Sequence, residues 1–134
     1  MDKTSWVHKL YDKYPKQFPK NCIECHEGWF TIIDQMCAAI QVYMDNEIYD
    51  QEITPEFVKI REHLGILDIE ISGADEVVKI ISKACERLSY QICEYCGEHG
   101  ELYCSSKYRQ WSHFKTLCLD HAIELYYYRL YKQK

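Results

Sequence analysis

The amino-acid sequence predicts an α+β fold, in which a small β-sheet packs with helices and with a C-terminal module of treble-clef or ribbon-like type. Apolar residues recur at helical spacing between residues 29 and 45. Leu67, Ile69 and Ile71 alternate with acidic residues, which is the pattern of a half-buried strand. Near the C-terminus a Cys-x-x-Cys pair precedes a Cys-x-x-His pair, and this spacing is typical of zinc ligands.

The length of 134 residues predicts a single domain, 1–134. With 47% apolar and 28% charged residues, its composition is that of a folded protein. We divide it into an N-terminal helical segment (1–21), an α/β core (22–91), and a zinc module with a C-terminal helix (92–134). The formal charge of -5 argues against a surface devoted to nucleic acid, because such domains are usually basic.

The N-terminal part predicts two helices. The short first helix is indicated by the spacing of Trp6, Val7, Leu10 and Tyr11. Pro15 and Pro19 then predict an extended connection. The helix over 29–45 has a longer apolar stripe, formed by Trp29, Ile33, Met36, Cys37, Ile40 and Met44.

The segment from residue 54 to residue 65 fits two interpretations. Residues 54–56 resemble a helix start, with Gly65 as the stop. However, Val58 and Ile60 alternate with Lys59 and Arg61, as in a strand.

Two further helices are predicted in the C-terminal half. Ser72 and Asp75 resemble a capping box for a helix that runs to about residue 90. Its buried face is predicted to contain Val77, Ile81, Ala84, Cys85 and Leu88. The last helix is predicted to begin near Leu119 and to bury Ala122, Ile123, Tyr126 and Leu130.

The candidate metal ligands are Cys93, Cys96, Cys118 and His121. The two-residue gap in each pair lets both side chains point at one ion, and Gly97 permits the tight turn of a zinc knuckle. We predict one structural zinc ion, because four protein ligands leave no position for a catalytic water. His99 and Cys104 are second-choice ligands. The alternative interpretation is a set of buried cysteines that happen to be well spaced.

A candidate second metal site contains Cys22, Cys25 and His26. A complete site would need two further ligands, drawn from Cys37, His99, Cys104 and His113. The alternatives are a haem attachment sequence and, more simply, free thiols around a helix start. Cys37 and Cys85 lie on apolar helix faces, which predicts that they are core residues.

The sequence favours a protein without enzymatic activity. Cys25 with His26, or Cys104 with His113, could be proposed as a catalytic pair, but no thiol-protease motif surrounds them. Residues 111–122 resemble the end of an HNH nuclease, which also needs further metal ligands that are missing upstream. A metal-dependent, HNH-like nuclease is therefore an alternative and not the leading hypothesis.

The N-terminus has no apolar segment typical of a secretory signal. No stretch approaches the ~20 apolar residues that span a bilayer, so we expect a cytoplasmic protein without membrane contact. Disulfides are disfavoured in that compartment, and the eight cysteines therefore indicate metal binding or buried thiols.

Several motifs occur in a fixed order along the chain: Cys25–Phe30, Val58-Lys59, Gly65–Leu67, Cys93–Gly97, Trp111 and Thr116–Ala122. Together they resemble a family of small uncharacterised proteins of phages, prophages and bacterial genomes. The resemblance covers roughly residues 22–122, supports the zinc ligands and favours paired strands over 57–71. It implies a mobile-element context in a bacterial host cytoplasm, and it transfers no catalytic residue. Cys22, the tyrosine-rich tail and the acidic strand face depart from the family pattern.

The leading functional hypothesis is a non-enzymatic zinc-binding interaction protein that binds a host protein or a protein–nucleic-acid complex. One version is an inhibitor of a bacterial defence complex, similar to an anti-CRISPR protein. We predict no small-molecule substrate. The predicted partner-binding residues are of the types that dominate interfaces, namely Tyr127, Tyr128, Tyr131, Arg109 and Trp111. A nucleic-acid-binding zinc module is the alternative, because residues 107–111 and Lys115 combine cations with aromatic rings.

Overall fold

The computed structural model describes residues 5–46, 53–105, 114–125 and 127–129, and it confirms the α+β class. The helices are α1 (Ser5–Lys13), α2 (Phe30–Met44), α3 (Glu76–Leu88) and α4 (Leu119–Glu124). Short 3-10 turns occupy Glu27–Trp29 and Ser89–Gln91. The strands are β1 (Ile23–Glu24), β2 (Glu56–His63), β3 (Ile66–Ser72), β4 (Glu101–Ser105), β5 (Phe114–Leu117) and β6 (Tyr127–Arg129).

Some sequence-predicted residues lie outside the described part of the chain. They are the partner-binding candidates Arg109, Trp111 and Tyr131, the side chain of Tyr128, and also His113, Tyr126 and Leu130. Lys107 and Tyr108 of the basic-aromatic string lie outside it as well.

Two three-stranded sheets form within the described residues. In the first, β1 runs parallel to β2, and β2 pairs with β3 in an antiparallel hairpin. Leu64 and Gly65 both have positive φ at its turn, as a two-residue hairpin loop of the primed type requires. The ambiguous segment 54–65 is thus a strand and not a helix. The second sheet has the antiparallel order β5-β4-β6.

The main core surrounds α2, whose predicted apolar stripe is buried along its whole length. Trp6, Val7 and Leu10 of α1 pack into this core, as do Phe57 and Ile60 of β2. Cys37 and Cys85 are buried in it, so the prediction that they are core residues is confirmed. A second, smaller core belongs to the C-terminal module and contains Cys93, Tyr103, Leu117 and Ala122.

The predicted start and buried face of α3 are wrong in part. Asp75 alone is the N-cap residue and accepts a hydrogen bond from the Val78 amide, whereas Ser72 belongs to β3. Ile81 is half-buried and Cys85 is buried, as expected, together with Val78. The other predicted core positions are exposed, namely Val77, Ala84 and Leu88. The spacing of apolar residues along α3 is compatible with burial of either of two neighbouring faces of the helix. Contacts with α2 and β3 determine which face is buried.

The predicted long C-terminal helix is also wrong. α4 ends at Glu124, and the chain then enters β6, which pairs with β4 from Tyr103 to Ser105. Aromatic residues favour strands, and β4 offers an unpaired edge next to this segment. Packing against that edge therefore outweighs the helical periodicity of the tail.

The two cores meet where Gly28 and Trp29, just before α2, contact residues 92–94. The Trp29 indole Nε1 donates a hydrogen bond to the Ile92 carbonyl at 2.9 Å, and the Gly28 amide donates to the Glu94 carbonyl at 2.7 Å. A Cβ atom on Gly28 would lie 2.2 Å from the Cys93 carbonyl oxygen. Only glycine permits this approach, so residue 28 fixes the position of the C-terminal module against the main core.

Gly28→Ala is expected to destabilise the protein by roughly 3 kcal/mol, because an added methyl group would overlap fixed backbone atoms. Gly73→Ala is the matched control: Gly73 has φ +75, but its added Cβ would lie 3.0 Å from the nearest atom. The control is expected to lose only about 1–2 kcal/mol, because its positive φ strains an alanine and the Thr54 backbone has to move by no more than a few tenths of an ångström. Urea denaturation of both variants checks the difference, and equal losses would contradict a tight contact at Gly28.

Candidate metal centre

The first half of the candidate metal centre is a knuckle from Cys93 to Gly97. The Gly97 amide donates to the Cys93 carbonyl at 2.9 Å, and Gly97 has the positive φ of +84 that this turn requires. The Cys93 amide donates to the Glu98 carbonyl at 2.7 Å. The turn thereby brings the Cys93 and Cys96 thiols to the same side, as the Cys-x-x-Cys spacing predicts.

The second half of the centre lies at the start of α4. Cys118 is the N-cap residue, and its sulfur accepts a hydrogen bond from the His121 amide at 3.4 Å. Because residues three apart lie on one side of a helical turn, the His121 imidazole returns towards the Cys118 sulfur. Strand β5 leads into Cys118, and its pairing with β4 holds this half against the knuckle.

The four side chains converge on one point. Their ligand atoms all lie within 4.8 Å of one another. The His121 Nδ1 atom is 3.2 Å from the Cys118 sulfur and 3.7 Å from the Cys93 sulfur, and the Cys96 and Cys118 sulfurs are 3.7 Å apart. In the described part of the chain no other group of three or more Cys, His, Asp or Glu side chains converges in this way.

These distances match the edges of a tetrahedron around a metal ion. Zinc–sulfur and zinc–nitrogen bonds of ~2.3 and ~2.0 Å imply about 3.8 Å between two sulfur ligands and about 3.5 Å between sulfur and nitrogen. A disulfide would need its sulfurs roughly 2 Å apart, and the Cys96–Cys118 distance excludes that bond. The donor set of three thiols and one imidazole therefore fits a metal ion.

The thiols of the knuckle differ in acidity. Desolvation opposes ionisation of Cys93, but the backbone amides of Cys118, Cys96 and Tyr95 donate hydrogen bonds to its sulfur, and the net effect lowers its pKa. Desolvation, together with hydrogen bonds to the neighbouring thiols, raises the pKa of Cys96 to about 11. One thiolate is thus favoured by the fold itself, whereas a bound cation would favour ionisation of the others.

Tyr95 lies between the two cysteines of the knuckle in sequence and between two imidazoles in space. Its ring stacks on His121 with centroids 5.6 Å apart and on His26 with centroids 4.1 Å apart. The Lys115 Nζ atom lies 5.9 Å from the centre of the same ring. The stack limits the orientations of the His121 imidazole, and it brings the second predicted cluster, through His26, close to the candidate metal centre.

A buried ion-pair network lies directly behind the knuckle. The Glu94 side chain is 1% exposed, and its carboxylate contacts the Lys115 ammonium at 3.2 Å and the His26 Nδ1 atom at 3.1 Å. Lys115 also pairs with Glu62 of β2 at 3.4 Å. Although burial opposes the charged form of Lys115, the two carboxylates outweigh it and raise the pKa of this lysine. The network joins the knuckle to both β2 and β5.

Sequence reasoning did not identify Glu94, Lys115 and Gly28 as residues that position the centre. Glu94 was visible only as the neighbour of a ligand, and Lys115 only as part of a basic string. Their role depends on contacts over 53 and 68 positions of sequence separation, which a local pattern does not contain.

The residues of the predicted second metal site do not converge as ligands. Cys22 is buried in the main core, and Cys25 packs partly against it. Burial raises the pKa of Cys22 to about 11, and the pKa of Cys25 still further. His26 turns instead to Glu94. Cys37, His99 and Cys104 lie in the described part of the chain, and none belongs to a convergent group there.

No protein-family model, no curated protein and no solved structure matches this chain. Among the described residues, no helix has the length and apolar character needed to cross a membrane.

Glu94→Gln is expected to destabilise the protein by on the order of 3 kcal/mol, because it leaves the partly buried Lys115 ammonium with only one carboxylate. Asp68→Asn is the matched control: it also neutralises a carboxylate, but the Arg61–Asp68 pair is about half exposed, with side chains 42% and 46% accessible. The control is expected to lose less than about 1 kcal/mol. Thermal and urea denaturation provide the comparison, and similar losses for the two variants would assign Glu94 no special role.

Proposed function

We propose that the chain is a non-enzymatic binding protein whose C-terminal half is organised by one structural zinc ion. The observation that carries this proposal is the convergence of Cys93, Cys96, Cys118 and His121 at tetrahedral distances. Thiolate and imidazole ligands in this geometry suit zinc better than calcium or magnesium, which prefer oxygen ligands. When bound, the ion would supply cross-links between the knuckle and α4.

A structural role is favoured because the protein provides all four ligands. A catalytic zinc ion keeps one coordination position for water or substrate. The carboxylate of the knuckle itself, Glu94, is buried and pairs with Lys115 and His26, so it is poorly placed to act as a general base. These features support a protein that presents a surface and does not catalyse a reaction.

The partner that we propose is a host macromolecule, and inhibition of a bacterial defence complex is the most specific version of the proposal. This version derives from the resemblance to small phage and prophage proteins. Tyr127, one of the predicted partner-binding residues, is half-buried and packs against the smaller core. That placement suits a rigid aromatic anchor at the rim of an interface.

A nucleic-acid-binding module receives less support. Lys115, one of its predicted cations, is 19% exposed and is held by Glu62 and Glu94. An ammonium that is already paired with two carboxylates contributes little to the neutralisation of phosphates.

The zinc proposal predicts one ion per chain in native mass spectrometry of wild-type protein. Cys93→Ser is expected to lose the ion together with several kcal/mol of stability, because the free energy of zinc binding contributes to folding. Cys104→Ser is the matched control, since Cys104 was a second-choice ligand but lies outside the cluster, and it is expected to retain the ion. A freshly reduced wild-type sample without zinc would refute the proposal, and a second ion would reopen the site at Cys22 and Cys25.

A non-enzymatic protein of this kind is expected to bind free nucleic acids only weakly and not to cleave them. Fluorescence anisotropy with single- and double-stranded DNA and RNA is expected to show no binding tighter than the roughly 1 µM limit of non-specific complexes at physiological salt. Incubation with magnesium or manganese is expected to leave the same substrates intact. Tight binding with a steep salt dependence would favour the nucleic-acid module, and cleavage would favour the nuclease.

A further inference from the structure

An apolar groove of about 310 Å³ lies between α2 and α3, and none of the four candidate metal ligands lines it. Met36 and Ala39 of α2 form one wall, and Ile80, Ala84 and Leu88 of α3 form the other. The Ile80 side chain is 64% exposed and that of Leu88 is 49% exposed. Large apolar side chains concentrated along one groove are typical of a surface that binds another molecule.

A row of cations borders the α3 side of this groove. Lys79, Lys83 and Arg87 follow one another at four-residue spacing, and they share the neighbouring surface with Ile80, Ala84 and one carboxylate, that of Glu76. Lys83 has a long contact with Glu86, at 3.7 Å. Among the described residues, no ion pair joins Lys79 or Arg87 to a carboxylate.

The row leaves a surplus of positive charge on one edge of a protein whose net charge is -5. Like charges four residues apart on a helix repel each other, and Glu76 and Glu86 offset this repulsion only in part, because two carboxylates lie beside three cations. A local row of cations on an acidic protein is therefore complementary to a partner that brings negative charge to this edge.

We propose that the groove binds an amphipathic helix of a partner protein, with an apolar face on the groove floor and an acidic flank against Lys79, Lys83 and Arg87. The groove between two helices is a shape that accommodates a third helix. Ile80 and Leu88 are eight residues apart, about 12 Å along the axis, so the partner helix contacts the groove over roughly two turns. Its apolar residues follow an i, i+4, i+7 spacing, and its acidic residues repeat every three to four positions.

The floor of the groove argues for a helix over a nucleic acid. Ile32, Ile81 and Cys85 line it between the two walls, Gln35 is the one polar side chain of the whole lining, and no aromatic ring lines the groove for stacking on bases. The inference rests on the proposed function only in that both describe a binding protein. It names the chemistry of a partner and the surface that receives it.

Selection from a displayed library of helical peptides of about 15 residues tests this assignment, with the apolar and flanking positions varied independently. Peptides enriched on the full chain as purified are expected to have an apolar face and Glu or Asp on one flank. A synthetic copy of an enriched peptide is then titrated against Lys79→Glu/Lys83→Glu protein. Binding is expected to weaken at least about tenfold at low salt and by less at high salt.

Lys16→Glu/Lys20→Glu is the matched control, because both lysines are exposed and the change in net charge is the same. It is expected to leave the affinity within about twofold, whereas Ala84→Glu, at an exposed position of the groove wall, is expected to abolish binding. Failure to enrich any peptide, enrichment of non-acidic peptides, or equal effects of the two double variants would each overturn the proposal.

Two other occupants are outcomes of the same experiment. Dimerisation in analytical ultracentrifugation that Ala84→Glu abolishes would assign the groove to a second copy of the chain and overturn the proposal. If the protein bound phosphatidylserine vesicles but no peptide, and Ala84→Glu abolished that binding, the proposal of a partner helix would be overturned in favour of a lipid surface. Zinc per chain is measured on every variant, so loss of peptide binding with zinc retained concerns the groove alone. Absence of zinc in wild type would refute the proposed zinc site, and the groove would still be judged by the peptides enriched on that protein.

Discussion

The contact of Gly28 and Trp29 with the segment around Cys93 is the constraint on which the rest of the structure depends. It joins the two cores, because the Trp29 indole is fully buried in the larger core while its Nε1 bonds to the Ile92 carbonyl next to the smaller one. Because residue 28 has no Cβ atom, the backbone of the turn at Glu27–Trp29 can lie directly against the backbone of the knuckle. A side chain here would separate the two cores, and no alternative rotamer would relieve the overlap.

Two consecutive residues of the knuckle, Cys93 and Glu94, belong to two different stabilising clusters. Cys93 faces the candidate metal centre, and Glu94 faces the buried network with Lys115 and His26. Because the turn directs the Cys93 and Glu94 side chains into different surroundings, one short stretch of backbone contributes to both clusters. The proposed zinc ion and the ion-pair network therefore stabilise the same element, and a loss at either side would loosen the support of the other.

The sequence was sufficient for those features that depend on local periodicity or spacing. The α2 stripe, the β3 alternation and the spacing within each pair of candidate ligands follow from intervals of two to four residues, which the backbone geometry fixes. That the two pairs meet, over 22 positions of sequence, was inferred from the known plan of zinc modules. The face of α3 and the end of α4 could not be predicted in this way, because each has two locally acceptable answers. In α3, contacts with α2 and β3 bury Val78 and leave Val77 and Leu88 exposed, and after α4 the edge of β4 pairs with Tyr127. The charges around Glu94 come together only through the tertiary fold.

These contacts also bear on how the groove could bind a partner. Trp29 anchors the first turn of α2 against the C-terminal module, and α3 is fixed across α2 by the Cys85–Ile32 hydrogen bond. On its other side α3 is tied to β3, where Ser89, just beyond its C-terminus, and Glu86 accept hydrogen bonds from the Leu67 and Ile69 amides. Each wall of the groove is thus also held from outside the groove, α2 by the C-terminal module and α3 by β3. A preformed groove requires little ordering when a helix binds, so more of the contact energy is available as affinity. The C-terminal module, cross-linked by the proposed zinc ion, would then stabilise the groove by holding the start of α2 in place.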